Sequence, residues 1–417
     1  MLLKNALILD ELGEKKKVDI EIQGQKIKRI ESEIKQKADL DLKNKLLVPA
    51  FIDVHTHTRN PGQSYKETIQ AITQAAIAGG YGMLCAMPNT SPVIDSPKKV
   101  KESLEKLNQT DLQFFQYGAL SQDLISEKPA DYQAMKEAGA IAFSNDGRGV
   151  QKTQSIYQMM TACRDYQMLY VSHSEVDDLL FSGVMHEGKR NKELGLPGIL
   201  SSVESIAVAK EIMLATELAC PYHICHLSSQ MSVDLLRLHQ SYGSQVSGEV
   251  SPHHLILSEE DIPSDDPNYK MNPPLRAKKD QESLIQGLND GTIQIIATDH
   301  APHHSKDKGN SFINAAFGIV GLETAFPLLY SQLVLTGKVK LKTIIDALTI
   351  NPAQIFNLPA GRLAIGEIAN LTLIDLDYQG QIDKEKFYSL GQNTPFHHYK
   401  INAKIENVIL NGNIQIL

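Results

Sequence analysis

Eight times between residues 46 and 298 the chain runs the same course: an apolar segment of strand length, a loop, then a stretch with helical periodicity. The apolar segments fall at 46–53, 81–87, 112–119, 140–144, 168–172, 221–226, 245–250 and 293–298. Apolar runs without strict alternation suit strands buried on both faces, as in parallel sheets whose crossovers are helices. Eight such units make a (β/α)8, TIM-like barrel, an α/β fold. A doubly wound open sheet could use the same units, but no glycine-rich phosphate turn follows any of the segments. The first helix is expected over 64–78, with Ser64 and Glu67 as a capping box and Gly79-Gly80 as its stop. Others are expected to start at Ser96-Pro97 and at Ser201, the latter with Glu204 three residues on.

The two ends of the chain have a different texture. Segments such as Val18-Asp19-Ile20-Glu21-Ile22 and Leu371-Thr372-Leu373-Ile374-Asp375 alternate with period two, and neither end carries enough strands for a stable sheet alone. The expectation is that residues 1–48 and 358–417 combine into one small β-sandwich domain beside a barrel of residues 49–357. A chain of 417 residues, 42% hydrophobic, has material for both.

A barrel puts its chemistry at the C-terminal ends of its strands, and the unusual polar residues lie there. The first segment ends in His55-Thr56-His57, whose imidazoles share a face of an extended strand, and Asn60-Pro61-Gly62 then stops it. The fourth runs into Asn145-Asp146-Gly147, the fifth into His173, the sixth into His226 and the eighth into Asp299-His300. Taken singly, each residue has an ordinary explanation as a turn, a cap or a core histidine. Gathered on one rim, four imidazoles and two carboxylates suit two divalent cations, with one carboxylate bridging. Such a pair shares a hydroxide that is nucleophilic near neutral pH. Asp299, beside it, is placed to take its proton and return it to a departing nitrogen.

Charge and cysteine usage exclude other classes. A net charge of −8 without a basic tract argues against nucleic-acid binding. Cys85, Cys163, Cys220 and Cys225 form no Cys-X-X-Cys pair, which argues against a thiolate zinc site and suits a reducing cytoplasm. The opening residues turn acidic too early for a signal peptide, and no apolar segment is long enough to span a bilayer.

Five stretches together carry a resemblance. They are Asp53-Val54-His55-Thr56-His57-Thr58-Arg59-Asn60-Pro61-Gly62, Met87-Pro88-Asn89-Thr90, Glu249-Val250-Ser251-Pro252-His253-His254-Leu255, Met271-Asn272-Pro273-Pro274-Leu275-Arg276 and Ala297-Thr298-Asp299-His300-Ala301-Pro302-His303. From about residue 46 to 325 the chain resembles the amidohydrolase superfamily, and within it the bacterial type of dihydroorotase that uses an aspartate where many relatives use a carboxylated lysine. The resemblance implies reversible hydrolysis of dihydroorotate to carbamoyl aspartate, the ring closure of pyrimidine synthesis, with two Zn2+ per subunit. It places His55 and His57 on one zinc, His173 and His226 on the other, Asp146 between them, and Asp299 as ligand and proton shuttle. It puts Arg59, Asn89 and His303 around the substrate carboxylate and Asn272 on the ring amide, with Phe317 and Gly318 lining the pocket. It also implies a homodimer and an association with aspartate transcarbamoylase.

The chain departs from the family pattern at Asn145, where aspartate is common, at Ala316, where proline is common, and at Asn370, where aspartate is usual. His253, His254 and His304 are expected to be structural or supporting, and His397-His398 to lie in the terminal domain. Lys306-Asp307-Lys308-Gly309-Asn310-Ser311 is polar and glycine-containing enough to move. Two competing readings remain. A hydantoinase or allantoinase would commonly need a lysine at the end of the fourth strand, where none stands. A silent scaffold for aspartate transcarbamoylase is expected to have lost ligands, and all six stand here.

Overall fold

The computed structural model describes residues 1–359 and 361–415. Eight parallel strands form the barrel in chain order: Phe51–Thr56, Tyr81–Ala86, Gln113–Ala119, Ala140–Ser144, Leu169–Ser172, Tyr222–Ile224, Val246–Val250 and Ile295–Ile296. The ring closes where the last strand meets the first. There His57 N donates to His300 O (3.0 Å), and the Asp53 carboxylate accepts from Thr298 N (3.2 Å) and Thr298 Oγ1 (2.5 Å).

The barrel wall has two apolar faces, which is why its strands read as unbroken hydrophobic runs. Ile52, Val54, Met83, Cys85, Tyr117, Ala142, Val171 and Ile295 fill the interior. Phe51, Leu84, Phe114, Phe143 and Tyr170 pack outward among the helices. The first strand changes parity along its length. Ile52 and Val54 belong to the interior, and the register against its neighbour shifts between Asp53 and Thr56. An irregularity of this kind re-aims the following side chains, here His55 and His57.

The run expected over 46–53 is two strands. Leu46–Pro49 pairs with Leu7 and, antiparallel, with Leu371–Ile374, whereas Phe51–Thr56 belongs to the barrel. Proline has no N–H to continue a ladder, and the next donor, Ala50 N, bonds Asn370 O (2.9 Å), so the chain changes sheets there. Strands from both ends of the chain do combine, in one eight-stranded sheet. It curls around Leu3, Val18, Ile20, Ile22, Leu47, Leu371, Leu373 and Ile409, and Lys26 bridges to Ile368 across the opening. The terminal strands thus form one sheet around one apolar core.

One helix start differs from expectation. The first helix is Ile69–Ala78, capped by Thr68, whose Oγ1 accepts from Ala71 N (3.1 Å). Ser64 does not cap it. Glu67 is buried and accepts from Ser389 Oγ (2.5 Å) and Leu390 N (3.2 Å), far along the chain. Ser202–Leu218 starts at Ser201 as expected but without a side-chain cap, and Glu204 turns inward to Ser228 and Ser229. The helix after Ser96 does form, over Pro97–Leu107. Among the described residues no helix is long and apolar enough to cross a membrane.

Candidate metal centre

At the C-terminal rim the six residues singled out at strand ends converge. His57 Nε2 lies 3.4 Å from Asp146 Oδ2 and 3.0 Å from Asp299 Oδ1, and His55 Nε2 lies 3.3 Å from Asp146 Oδ1 and 3.5 Å from Asp299 Oδ1. From the opposite side, His173 Nδ1 and His226 Nε2 come within 3.5 and 3.7 Å of Asp146 Oδ1 and 2.9 Å of each other. Five of the six fall into two donor sets, His55/His57/Asp146 and Asp146/His173/His226, with Asp146 common to both, and Asp299 stands beside the first. All six side chains are buried, His55 completely.

The hydrogen bonds behind the histidines fix which nitrogen faces inward. His55 Nδ1–H donates to Glu249 Oε1 (2.6 Å), which leaves Nε2 with a lone pair. His57 Nδ1–H donates to Asn89 Oδ1 (3.0 Å), and His173 Nε2–H to Glu175 Oε2 (3.4 Å). Neutral imidazoles in these tautomers would set their lone pairs against carboxylate oxygens, acceptor against acceptor, unless a proton or a cation stands between them. Buried polar atoms without partners cost several kcal/mol, and His55 Nε2 and Asp146 Oδ1 are two such atoms. A divalent cation in each donor set resolves the conflict, so the residues present fit a pair of metal ions.

Electrostatics say the same. Burial would push the Asp146 and Asp299 carboxyls up, yet the surrounding histidines, His55 foremost, hold both well below the usual carboxylate range. Burial would depress His173, but Asp146 and Glu175 raise it to about 10. The cluster attracts positive charge in whatever form is available.

Asn145 turns away from the centre. Its Oδ1 accepts from Ser121 N (3.2 Å) and its Nδ2 donates to Ser121 Oγ (2.9 Å), so it braces the loop while its neighbour Asp146 faces the histidines. His226 and Asp299 have φ of 32° and 52°, and Arg59 has 59°. Three non-glycine residues in the left-handed region at strand ends are strained positions that surrounding structure must enforce, a pattern common at active sites.

Above the six lies a cavity of about 200 Å³. Every residue singled out from the sequence lines it except His55, which sits beneath. The Arg59 Nε–H donates to Pro302 O (3.1 Å), leaving the guanidinium tip toward the cavity. Asn272 donates from Nδ2 to Glu175 Oε1 (2.9 Å), and its buried Oδ1 has no partner. Asn89 is engaged at both ends of its amide, accepting from His57 and donating to Asp146 Oδ2 (3.1 Å). His303 donates from Nε2 to Phe317 O (2.9 Å) and accepts at Nδ1 from Lys66 Nζ (3.4 Å). Burial, then Arg59, Lys66 and Lys308, depress its pKa to about 2, so it is neutral.

Four supporting residues escape a reading of the sequence. Glu249 holds His55 and, through its other oxygen, His223 Nε2 (3.1 Å). Cys225 lies beside His55 and Glu249. Glu175, two residues past His173, could have been read from strand parity, and Lys66 stands in what looks like a surface loop. Of the histidines set aside, His254 Nε2–H donates to Pro273 O (2.9 Å), His304 Nδ1 accepts from Lys306 N (3.2 Å), and His397 and His398 stack on each other.

The model of the Amidohydrolase family matches residues 46–415. A dihydroorotase of Listeria innocua is 46% identical over 94% of this chain and 93% of its own length. One of Bacillus pumilus is 44% identical over 96% and 95%, and one of Staphylococcus epidermidis 42% identical over 99% and 98%. Among solved structures, L-hydantoinase from Arthrobacter aurescens superposes with a TM-score of 0.89, covering 100% of this chain and 97% of that one. Its 21% identity makes this a likeness of fold. The chain belongs to the amidohydrolase family and, within it, groups with the dihydroorotases.

Proposed function

We propose that the chain is a zinc-dependent dihydroorotase, opening dihydroorotate to carbamoyl aspartate and closing it again, in the cytoplasm and as a homodimer. The observation that carries this is the pair of donor sets sharing Asp146, each with inward lone pairs, beneath a cavity edged by the Arg59 guanidinium. His55, His57 and Asp146 would hold one zinc, Asp146, His173 and His226 the other. When bound, such a pair supplies Lewis acidity at the ring carbonyl and a nucleophile at neutral pH.

The chain's own residues do the rest. Asp299 stays ionised and faces the cavity, so it can accept the proton of water as the oxygen bonds to the ring carbonyl carbon. As the ring C–N bond breaks, the same proton passes from Asp299 to the nitrogen; closure runs these transfers in reverse. Arg59 holds the substrate carboxylate with its terminal nitrogens in a two-pronged ion pair. Asn272 Oδ1 accepts from a ring N–H, a role suited to an acceptor without a partner. Asn89 and His303 reach the carboxylate only by releasing the bonds they now make, so their first contribution is to orient His57, Asp146 and the rim.

The test is metal analysis of the purified chain with assays on dihydroorotate, hydantoin and allantoin, before and after chelation. Zinc near two per chain, turnover of dihydroorotate alone, loss on chelation and recovery with zinc are expected. Turnover of hydantoin in preference to dihydroorotate would replace this reading with that of the fold neighbours. Sedimentation of the same sample checks the dimer, and titration with aspartate transcarbamoylase checks that association.

A further inference from the structure

Lys308 stands in Lys306-Asp307-Lys308, a charged run whose ordinary fate is a solvated turn. It is instead 4% exposed. Its Nζ donates to Lys270 O (3.1 Å), Ala316 O (2.9 Å) and Gly318 O (3.1 Å). An ammonium has three N–H donors, and here three carbonyls from two separate segments take all of them. Burial, reinforced by Lys270, draws its pKa down to about 7, so the cation is kept at a cost.

Those carbonyls belong to the substrate side of the cavity. Ala316 and Gly318 flank Phe317, whose own carbonyl accepts from His303 Nε2, and Lys270 leads into Asn272. Gly318 is pinned from the other side as well: its N donates to Lys270 O (3.0 Å) and its O also accepts from Asn393 Nδ2 (3.0 Å). Its φ is +117°, and the point a Cβ would occupy lies only 2.6 Å from Ala301 Cβ, so this turn admits only glycine. Asn393 Oδ1 in turn accepts from His303 N (3.0 Å). His303 lies 3.2 Å from the Arg59 tip. The polar segment after the eighth strand, exposed at Lys306, Gly309 and Asn310, is thus tied to this wall through the buried Lys308.

We infer that Lys308 is a positioning residue for recognition of the substrate carboxylate: its three-carbonyl cage holds Phe317-Gly318 against His303 and so sets where Arg59 is presented. This rests on the reading of the cavity as a site for an acidic ring. Displacing a binding group by about an ångström costs up to roughly a hundredfold. The effect should fall on binding, because Lys308 touches none of the six cluster residues.

The experiment compares the zinc-loaded full chain with Lys308→Met and Lys308→Arg, reading kcat and KM for dihydroorotate and zinc content. Lys308→Met should raise KM about tenfold or more, with kcat within about threefold and zinc unchanged, and Lys308→Arg should recover part of the loss. A KM within twofold of the parent, or a parallel fall of kcat and zinc content, overturns the inference. Should Lys308→Met not fold, Lys308→Gln, which keeps two donors, is read the same way, and failure of both to fold also overturns it. A parent chain that does not turn over dihydroorotate sinks the functional reading itself, a result distinct from an active parent with an indifferent Lys308 variant.

Discussion

His55 Nδ1 lies 2.6 Å from Glu249 Oε1, and the other oxygen of the same carboxylate meets His223 Nε2 at 3.1 Å. Glu249 also accepts from His226 N (3.3 Å), so one buried carboxylate ties together residues of both donor sets. Burial would raise it, yet His55 and His223 hold it at about 2. Glu249→Gln keeps the shape but can no longer enforce the His55 tautomer. Zinc affinity is expected to fall by roughly ten- to a hundredfold, measured by competition with a chromogenic chelator.

Asp299→Asn removes the group proposed to carry the proton while leaving His55, His57, Asp146, His173 and His226 unchanged. Turnover should fall by roughly two to four orders of magnitude, with most of the zinc retained. Near-normal kcat in that variant, measured by absorbance of dihydroorotate, would end the shuttle role.

Arg59→Lys keeps the charge and loses the fork. Since the Arg59 Nε already bonds Pro302 O, only the tip is left for the proposed ion pair with the substrate carboxylate. A charged hydrogen bond is worth roughly 1.5–3 kcal/mol, so KM should rise about ten- to a hundredfold with a smaller change in kcat. Steady-state kinetics at matched zinc content decide it.

Stability should carry a signature of Glu323. Burial raises its carboxyl from an ordinary 4.5 to about 7, although Tyr388 N and Ser389 N donate to it. The folded chain therefore binds that proton more tightly than the unfolded one. The contribution is fully present below pH 4.5 and is lost as pH rises through 7. Between pH 5 and 8 the parent should lose up to roughly 3 kcal/mol relative to Glu323→Gln. Denaturant unfolding of both proteins at the two pH values, at equal zinc saturation, measures the difference.

The barrel was legible because its evidence is repeated: eight apolar runs, most of them ending in polar residues, five of these in types that bind metal. His55 and His57 could be paired by strand spacing alone, and the strand-end rule brought Asp146, His173, His226 and Asp299 to them. What stayed hidden depends on distant partners. Glu67 looked like part of a capping box because Ser389, 322 residues away, cannot be seen locally. Glu249 acquires its role only when the seventh strand lies beside the sixth and beneath His55. Lys308 lay unremarked in a segment read as able to move, since nothing nearby in the chain announces three carbonyls waiting for it.

The segment around Ser389 and Asn393 has a consequence for how this molecule can be taken apart. It arrives from beyond the last barrel helix, yet it satisfies Glu67 and grips the backbone of Ala301, His303 and Gly318. A barrel excised before it would keep its cation ligands and lose the splint on its anion-facing lip. Modular dissection at the obvious boundary should therefore yield a protein that loads metal but handles its acid poorly.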